Sequence, residues 1–283
     1  MANGKRKNWK KRLAVALAVL LFVVAAVCAF GFGTVWQLNS WEYWKPDYEM
    51  PDITPLLEKA ELSDEEYETL YRQTGLTKLG IDDLRGELNG AARIKKIQAY
   101  FFDGGTRAGR YTSPIMYMDE TSTFSTLTKL RDGDILVTAT TVVSFWRFGH
   151  SALVVDGKNN LILESIGIGS ESQYNNAEVF TNLVNFMVLR PKADEETKAQ
   201  AVAYARENLV GVPYRFTVGI LTKKERETLY GTQCAHLIWH AYNRFGLELD
   251  SNGGGLVIPQ DIANSENVEL VQAFGFDLDR LWS

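Results

Sequence analysis

Residues 13–35 hold no charged side chain and are rich in Leu, Val, Ala and Phe. A helix needs about 20 apolar residues to cross the hydrocarbon core of a bilayer, so this run predicts a transmembrane anchor. A cleavable signal peptide is the rival reading, but its apolar core is typically about 7 to 15 residues. Val27-Cys28-Ala29 resembles a small-residue cleavage site, whereas Val27 is a poor residue to precede a lipidated cysteine. A retained anchor is the preferred reading. Lys5, Arg6, Lys7, Lys10, Lys11 and Arg12 precede the run, with no acid among residues 1–12. Such a cluster stays in the cytoplasm, which predicts a single-pass cell-membrane protein with residues 40–283 extracytoplasmic. Trp36, Trp41, Tyr43 and Trp44 follow at once, as an interfacial aromatic belt would.

Charge narrows the partners. The formal net charge is −5, and without the six basic residues of the tail the remainder carries −11. An acidic body is a poor partner for phosphate backbones, so nucleic-acid binding is not expected. There are two cysteines, Cys28 inside the apolar run and Cys234 near the C-terminus. They cannot staple the outer part of the chain, so Cys234 is a lone thiol in a compartment that tends to oxidise thiols. It is either a small buried hydrophobe or a reactive group, and its neighbourhood must decide.

Residues 36–130 read as a mostly helical extension. Ser63-Asp64-Glu65-Glu66 is a capping box, and the helix it opens stops near Gly75. A second helix is expected from Ile81, carrying Leu84, Leu88, Ala91, Ile94 and Ile97, and ending at Asp103-Gly104-Gly105. These apolar stripes read as packing. From Arg131 the pattern changes to short β-rich runs separated by turns: residues 135–138, 151–155, 161–166 and 185–189. Residues 194–209 and 234–245 then read as helices. Residues 131–283 thus predict an α+β domain, a mainly antiparallel sheet packed on helices.

Cys234 stands where a loop enters a helix. The unpaired N–H groups and positive dipole end there favour thiolate and suit an oxyanion. Of three histidines, His236 points about 200° away from Cys234 on the same helix, and His240 lies roughly 9 Å along its axis. His150 opens a strand after Phe148-Gly149 and is free to meet the helix start across a cleft. Glu164 interrupts the apolar strand Leu161-Ile162-Leu163-Glu164. A carboxylate there is costly to bury without a partner, and a hairpin would place it beside His150.

The motifs resemble the permuted NlpC/P60 cysteine hydrolases, in their YiiX/YebB-like papain-fold branch. The matching pieces are Gly133-Asp134-Ile135-Leu136, Gly149-His150-Ser151-Ala152-Leu153-Val154-Val155, Leu163-Glu164-Ser165 and Val188-Leu189-Arg190-Pro191. They continue with Gly211-Val212-Pro213-Tyr214-Arg215-Phe216, the run from Gln233-Cys234 through Ala241-Tyr242, and residues 259–265. The resemblance implies Cys234 as nucleophile, His150 as base, Glu164 as the group that orients it, and Tyr214 as a pocket residue. It departs from many relatives at Ala235, where they carry serine, and it does not cover residues 46–130.

The expected chemistry is thiol acyl transfer on an amide or ester, without cofactor or metal. A peptidoglycan peptide is the expected substrate, from analogy and location alone. A lipid-directed activity is the alternative, suited by the anchor and by Phe145-Trp146-Arg147-Phe148 beside His150. A non-catalytic binding domain is the third, since His236 and His240 have the spacing of a helical metal pair.

Overall fold

The computed structural model describes residues 2–40, 44–103, 107–109, 116–118, 126–143, 146–225 and 229–282. Trp41, Tyr43, Gly104, Gly105 and Phe145 of the expectations above lie outside them. The apolar run forms part of one long helix, α1 (Ala2–Ser40). Its segment Trp9–Trp36 is long and apolar enough to cross a membrane, and no residue of its most apolar stretch is buried. Trp44 meets the buried ring of Phe101 edge-on at 5.6 Å.

Helices α2 (Thr54–Leu57), α3 (Asp64–Thr74), α4 (Lys78–Arg85) and α5 (Gly90–Asp103) follow. The capping box of α3 is complete, with Ser63 accepting from Glu66 N–H and Glu66 accepting from Ser63 N–H. Gly75 closes the helix in the left-handed conformation at φ 70°. The single helix expected beyond Ile81 is instead two. Gly86 ends α4, Leu88 is fully exposed, and Gly90 restarts the chain so close to Leu84 O that a Cβ would lie 1.7 Å from it. Leu88 kept the helical spacing, but two glycines four residues apart favour a turn over propagation.

Among the described residues ten strands follow in chain order. Two form a small hairpin, β1 (Arg107–Gly109) with β2 (Met116–Met118). Next come β3 (Ile135–Thr138), the short ladder of β4 (Val142–Val143) with β5 (Trp146–Arg147), then β6 (His150–Asp156), β7 (Leu161–Glu164) and β8 (Gln173–Asn176). A 3₁₀ turn at Ala177–Asn182 leads to β9 (Phe186–Pro191). Helices α6 (Glu195–Asn208), α7 (Cys234–Asn243) and α8 (Pro259–Ala263) precede the last strand, β10 (Val268–Phe274). The main sheet is antiparallel throughout, in the order β10-β9-β3-β6-β7-β8, and α6 and α7 pack against β6. The mixed helix and antiparallel-sheet reading therefore stands. Strands β8 and β10 were not anticipated, and the third expected strand ends at Glu164 rather than Ile166.

The helical extension covers a sheet edge. Gly75 O accepts from Ala273 N–H, and Thr77 N–H donates to Val271 O, so residues 75–77 pair with the free side of β10. An uncovered edge strand is a template for unwanted pairing, and this junction removes it. A buried ion cluster fastens the same region. Arg190 on β9 grips Asp134 in two parallel bonds, Nε to Oδ1 and Nη2 to Oδ2, both 2.9 Å. Its third nitrogen reaches Asp83 of α4 at 2.8 Å. Asp134 and Arg190, both within recognised motifs, are thus structural.

Arg190→Ala would leave the buried Asp134 without its cation and Asp83 with Arg131 alone. We expect a loss of about 3–5 kcal/mol, the usual result of removing one member of a buried pair. Urea unfolding of the variant checks this; a loss below about 1 kcal/mol contradicts the role given to Arg190.

Candidate active site

Register brings the titratable groups together. His150 begins β6 opposite Thr138 of β3. Ala152, two residues on and on the same face, is opposite Glu164 of β7, so Glu164 lies diagonally across from His150. Asn175 of β8 is opposite Ile162, which shares the face of Glu164. Three side chains from three neighbouring strands therefore converge. His150 Nε2 meets Glu164 Oε2 at 2.7 Å, and Asn175 Nδ2 donates to Glu164 Oε1, also at 2.7 Å. Gly149 sets the histidine's approach. Its φ is 73°, and a Cβ would collide with the ring of Trp282 at 2.2 Å and Thr138 O at 2.5 Å. The imidazole also stacks on Phe180 at 5.9 Å and 17°.

Cys234 is the first residue of α7, and its side chain is buried. His150 lies beside it on the cavity wall and favours its charged form. Nε2 is committed to Glu164, so Nδ1 is the nitrogen left for sulfur. The Ser151 hydroxyl and N–H also favour the charged form of the sulfur, although Ser151 Oγ has no hydrogen-bond partner. Gln233 is the N-cap of α7. Its Oε1 accepts from Ala235 N–H at 2.9 Å and stands 3.6 Å from Cys234 Sγ, while its Nε2 donates to Val257 O. With Ala235 N–H so occupied, the Cys234 N–H is the donor available to an oxyanion.

The electrostatics are consistent across the three groups. Burial opposes charge on Cys234, but the hydrogen bond and charge of His150 outweigh it and hold the thiol pKa below its ordinary value. Burial likewise pulls His150 down, yet its bonds to Cys234 and Glu164 and the charges of both raise it above the imidazole range. Burial pushes Glu164 up, while His150 and then Asn175 hold it low. The contacts thus favour charge on all three groups: anionic sulfur and carboxylate on either side of a cationic ring.

These groups form part of the wall of a cavity of about 990 Å³. Tyr214 lines it near Cys234, its hydroxyl pushed up to about 12 by burial and then by the cysteine's charge. All four residues singled out in the sequence thus share one cavity. Asn175 and Gln233 carry roles the sequence reading did not assign. No residue of 44–103 lines the cavity; that stretch packs on the β10 edge of the sheet.

His236 and His240 are packing residues. His236 Nδ1 meets Thr232 Oγ1 at 3.0 Å and Nε2 meets Lys224 O at 3.0 Å, and burial lowers its pKa to about 4. His240 stacks on Tyr204 at 5.7 Å. Among the described residues no group of three or more His, Cys, Asp or Glu is placed to hold a metal ion.

No protein-family model matches the chain, and no curated protein sequence matches it. Among solved structures, metalloprotein YiiX from Escherichia coli O157:H7 is similar, at 14% identity and a TM-score of 0.39, covering 50% of this chain and 97% of that one.

The pKa directions set the sign of the pH dependence. The thiolate forms above the lowered Cys234 pKa, and the imidazolium persists until pH passes the raised His150 pKa; the ion pair exists between them. Iodoacetamide should label Cys234 rapidly at about pH 6, where an ordinary thiol of pKa ~8.5 is almost wholly protonated. His150→Ala should slow that labelling at least about 100-fold, because the buried thiol loses its partner. Equal rates in wild type and variant would contradict the pair.

Proposed function

We propose that the protein is a membrane-anchored thiol hydrolase of the permuted NlpC/P60 papain-like kind, acting on amide or ester carbonyls. The observation that supports this most is the relay Cys234–His150–Glu164–Asn175 opening on a cavity. Structural cysteines rarely sit against a protonated imidazole whose other nitrogen is held by a carboxylate, whereas a thiol nucleophile needs that arrangement.

The thiolate attacks the carbonyl carbon, and the oxyanion is held by the Cys234 N–H. His150 gives its proton to the leaving amine or alkoxide as the tetrahedral intermediate collapses to a thioester. A water then attacks the thioester with His150 as base, releasing the acid and restoring the thiol–imidazole pair. Glu164 fixes the ring and compensates its charge throughout, and Asn175 fixes Glu164. The basic tail supports an extracytoplasmic site. Between a cell-wall peptide and a lipid, the cavity's apolar walls, including Val179, Phe180 and Leu183, favour the lipid.

A small activated ester such as p-nitrophenyl butyrate should give a burst and an acyl group on Cys234 detectable by mass spectrometry. His150→Ala should lower kcat/KM by about 10²–10⁴, the range for losing a general base. Glu164→Gln should lower it less and shift the basic limb of the pH profile downward, because His150 loses an anion. Absence of acylation in the wild type would favour a non-catalytic binding domain.

A further inference from the structure

Depth in a bilayer can be read along α1. The charged tail ends at Arg12, and about 20 residues cross a ~30 Å hydrocarbon core, so a crossing that starts at Leu13 reaches the far boundary near Phe32 and Gly33. That is where the helix meets the body. Gly33 is buried, Thr34 and Val35 are half-buried, and α1 packs on β4. Strand β4 pairs with β5, and Phe148, just beyond β5, meets Phe216 edge-on at 5.5 Å. In a bilayer the loop that carries Phe216 is therefore joined to α1 at the level where the hydrocarbon ends.

Two loops, residues 166–172 and 210–222, are tied to each other there. Ser172 N–H donates to Val212 O, Gly211 N–H to Ser172 O, and Tyr214 N–H to Ser170 O. They present Ile166, Ile168, Phe216, Ile220 and Leu221, which are 45%, 89%, 39%, 55% and 77% exposed. A single exposed apolar side chain is ordinary, but five bulky ones on two joined loops form a patch that asks for a partner. Arg215 and Lys223 are exposed on these loops or just beyond, and so are Glu171 and Glu225, so the apolar side chains rather than net charge would carry the contact.

We propose that these two loops dock on the bilayer that α1 crosses, in the leaflet at the C-terminal end of that helix. This rests on the membrane-anchor reading above and is independent of the reaction at Cys234. The tether makes the docking intramolecular, so a patch of this size stays engaged without strong affinity of its own. Apolar side chains of this size gain by entering the boundary of headgroups and acyl chains. A soluble partner would have to displace lipid from a surface the tether already holds against the membrane. The second contact also stops the body from turning about α1, which a single helix does not do.

The test places the full-length protein in vesicles of phosphatidylcholine and phosphatidylglycerol. The vesicles include a phospholipid with a diazirine near the glycerol end of one acyl chain. After irradiation, lipid adducts are mapped by mass spectrometry. Residues 166–168 and 216–221 should be labelled along with α1. Leu88, apolar and fully exposed on the helical extension, is the reference. Loop labelling should exceed that of Leu88 by at least about tenfold, the equivalent of ~1.4 kcal/mol. Ile168→Asp combined with Leu221→Asp should bring the loops down to the level of Leu88 and leave α1 unchanged. Labelling of α1 with the loops no higher than Leu88 overturns the docking and leaves the anchor standing. The same result with a dimer in chemical cross-linking also overturns it and assigns the loops to a second copy of the chain. An unlabelled α1 overturns both the docking and the anchor.

Discussion

A thiol, an imidazole and a carboxylate are buried within a few ångströms of one another, and each opposes burial when charged alone. Together they offset that penalty: His150 holds the Cys234 and Glu164 pKa values low, and those two groups hold the His150 pKa high. This condition governs much of what surrounds them. The β6–β7 register must set Glu164 diagonally from His150, because a slip of one residue would turn either side chain to the other face. Gly149 must be glycine, since Trp282 and Thr138 occupy the space of a side chain. Cys234 must begin α7 rather than continue it, so that sulfur meets β6 and its N–H stays open. The Gln233 cap then determines which N–H remains.

The remainder of the molecule holds that sheet in register. Arg190 joins β9 to the turn before β3 and to α4 with three charge-assisted bonds. Residues 75–77 seal the outer side of β10, and Gln272 of that strand binds Thr126 O and Thr128 N–H. The helical extension therefore completes a sheet edge, while Phe30 of α1 lines the cavity.

Cys234, His150, Glu164 and Tyr214 were legible because each stands out locally: a lone thiol at a helix start, a histidine opening a strand, a carboxylate in an apolar strand, a tyrosine in a recognisable loop. Asn175 was not, since β8 is a polar edge strand without the alternation that marks a buried face. Gln233 could have been found, because its position before a helix start is a capping position. Phe30 was hidden by its own context. In a uniformly apolar run, one position that faces a protein cavity looks like those that face lipid. The division of the expected second helix into α4 and α5 was signalled by Gly86 and Gly90, but apolar spacing hid the break. Strand β10 lay beyond the last recognised motif, and its pairing with β9 is set by contacts distant in sequence.

The central claim is that His150 is an imidazolium because Cys234 and Glu164 are anions. With three histidines in the chain, nitrogen-15 NMR of the ring nitrogens tests it directly. The account predicts one doubly protonated ring at about pH 7, above the ordinary imidazole pKa near ~6.5. That ring should be assigned to His150, and it should deprotonate at a lower pH in Cys234→Ser. A His150 ring that is neutral at that pH in the wild type, with a titration unmoved by the substitution, would contradict the account.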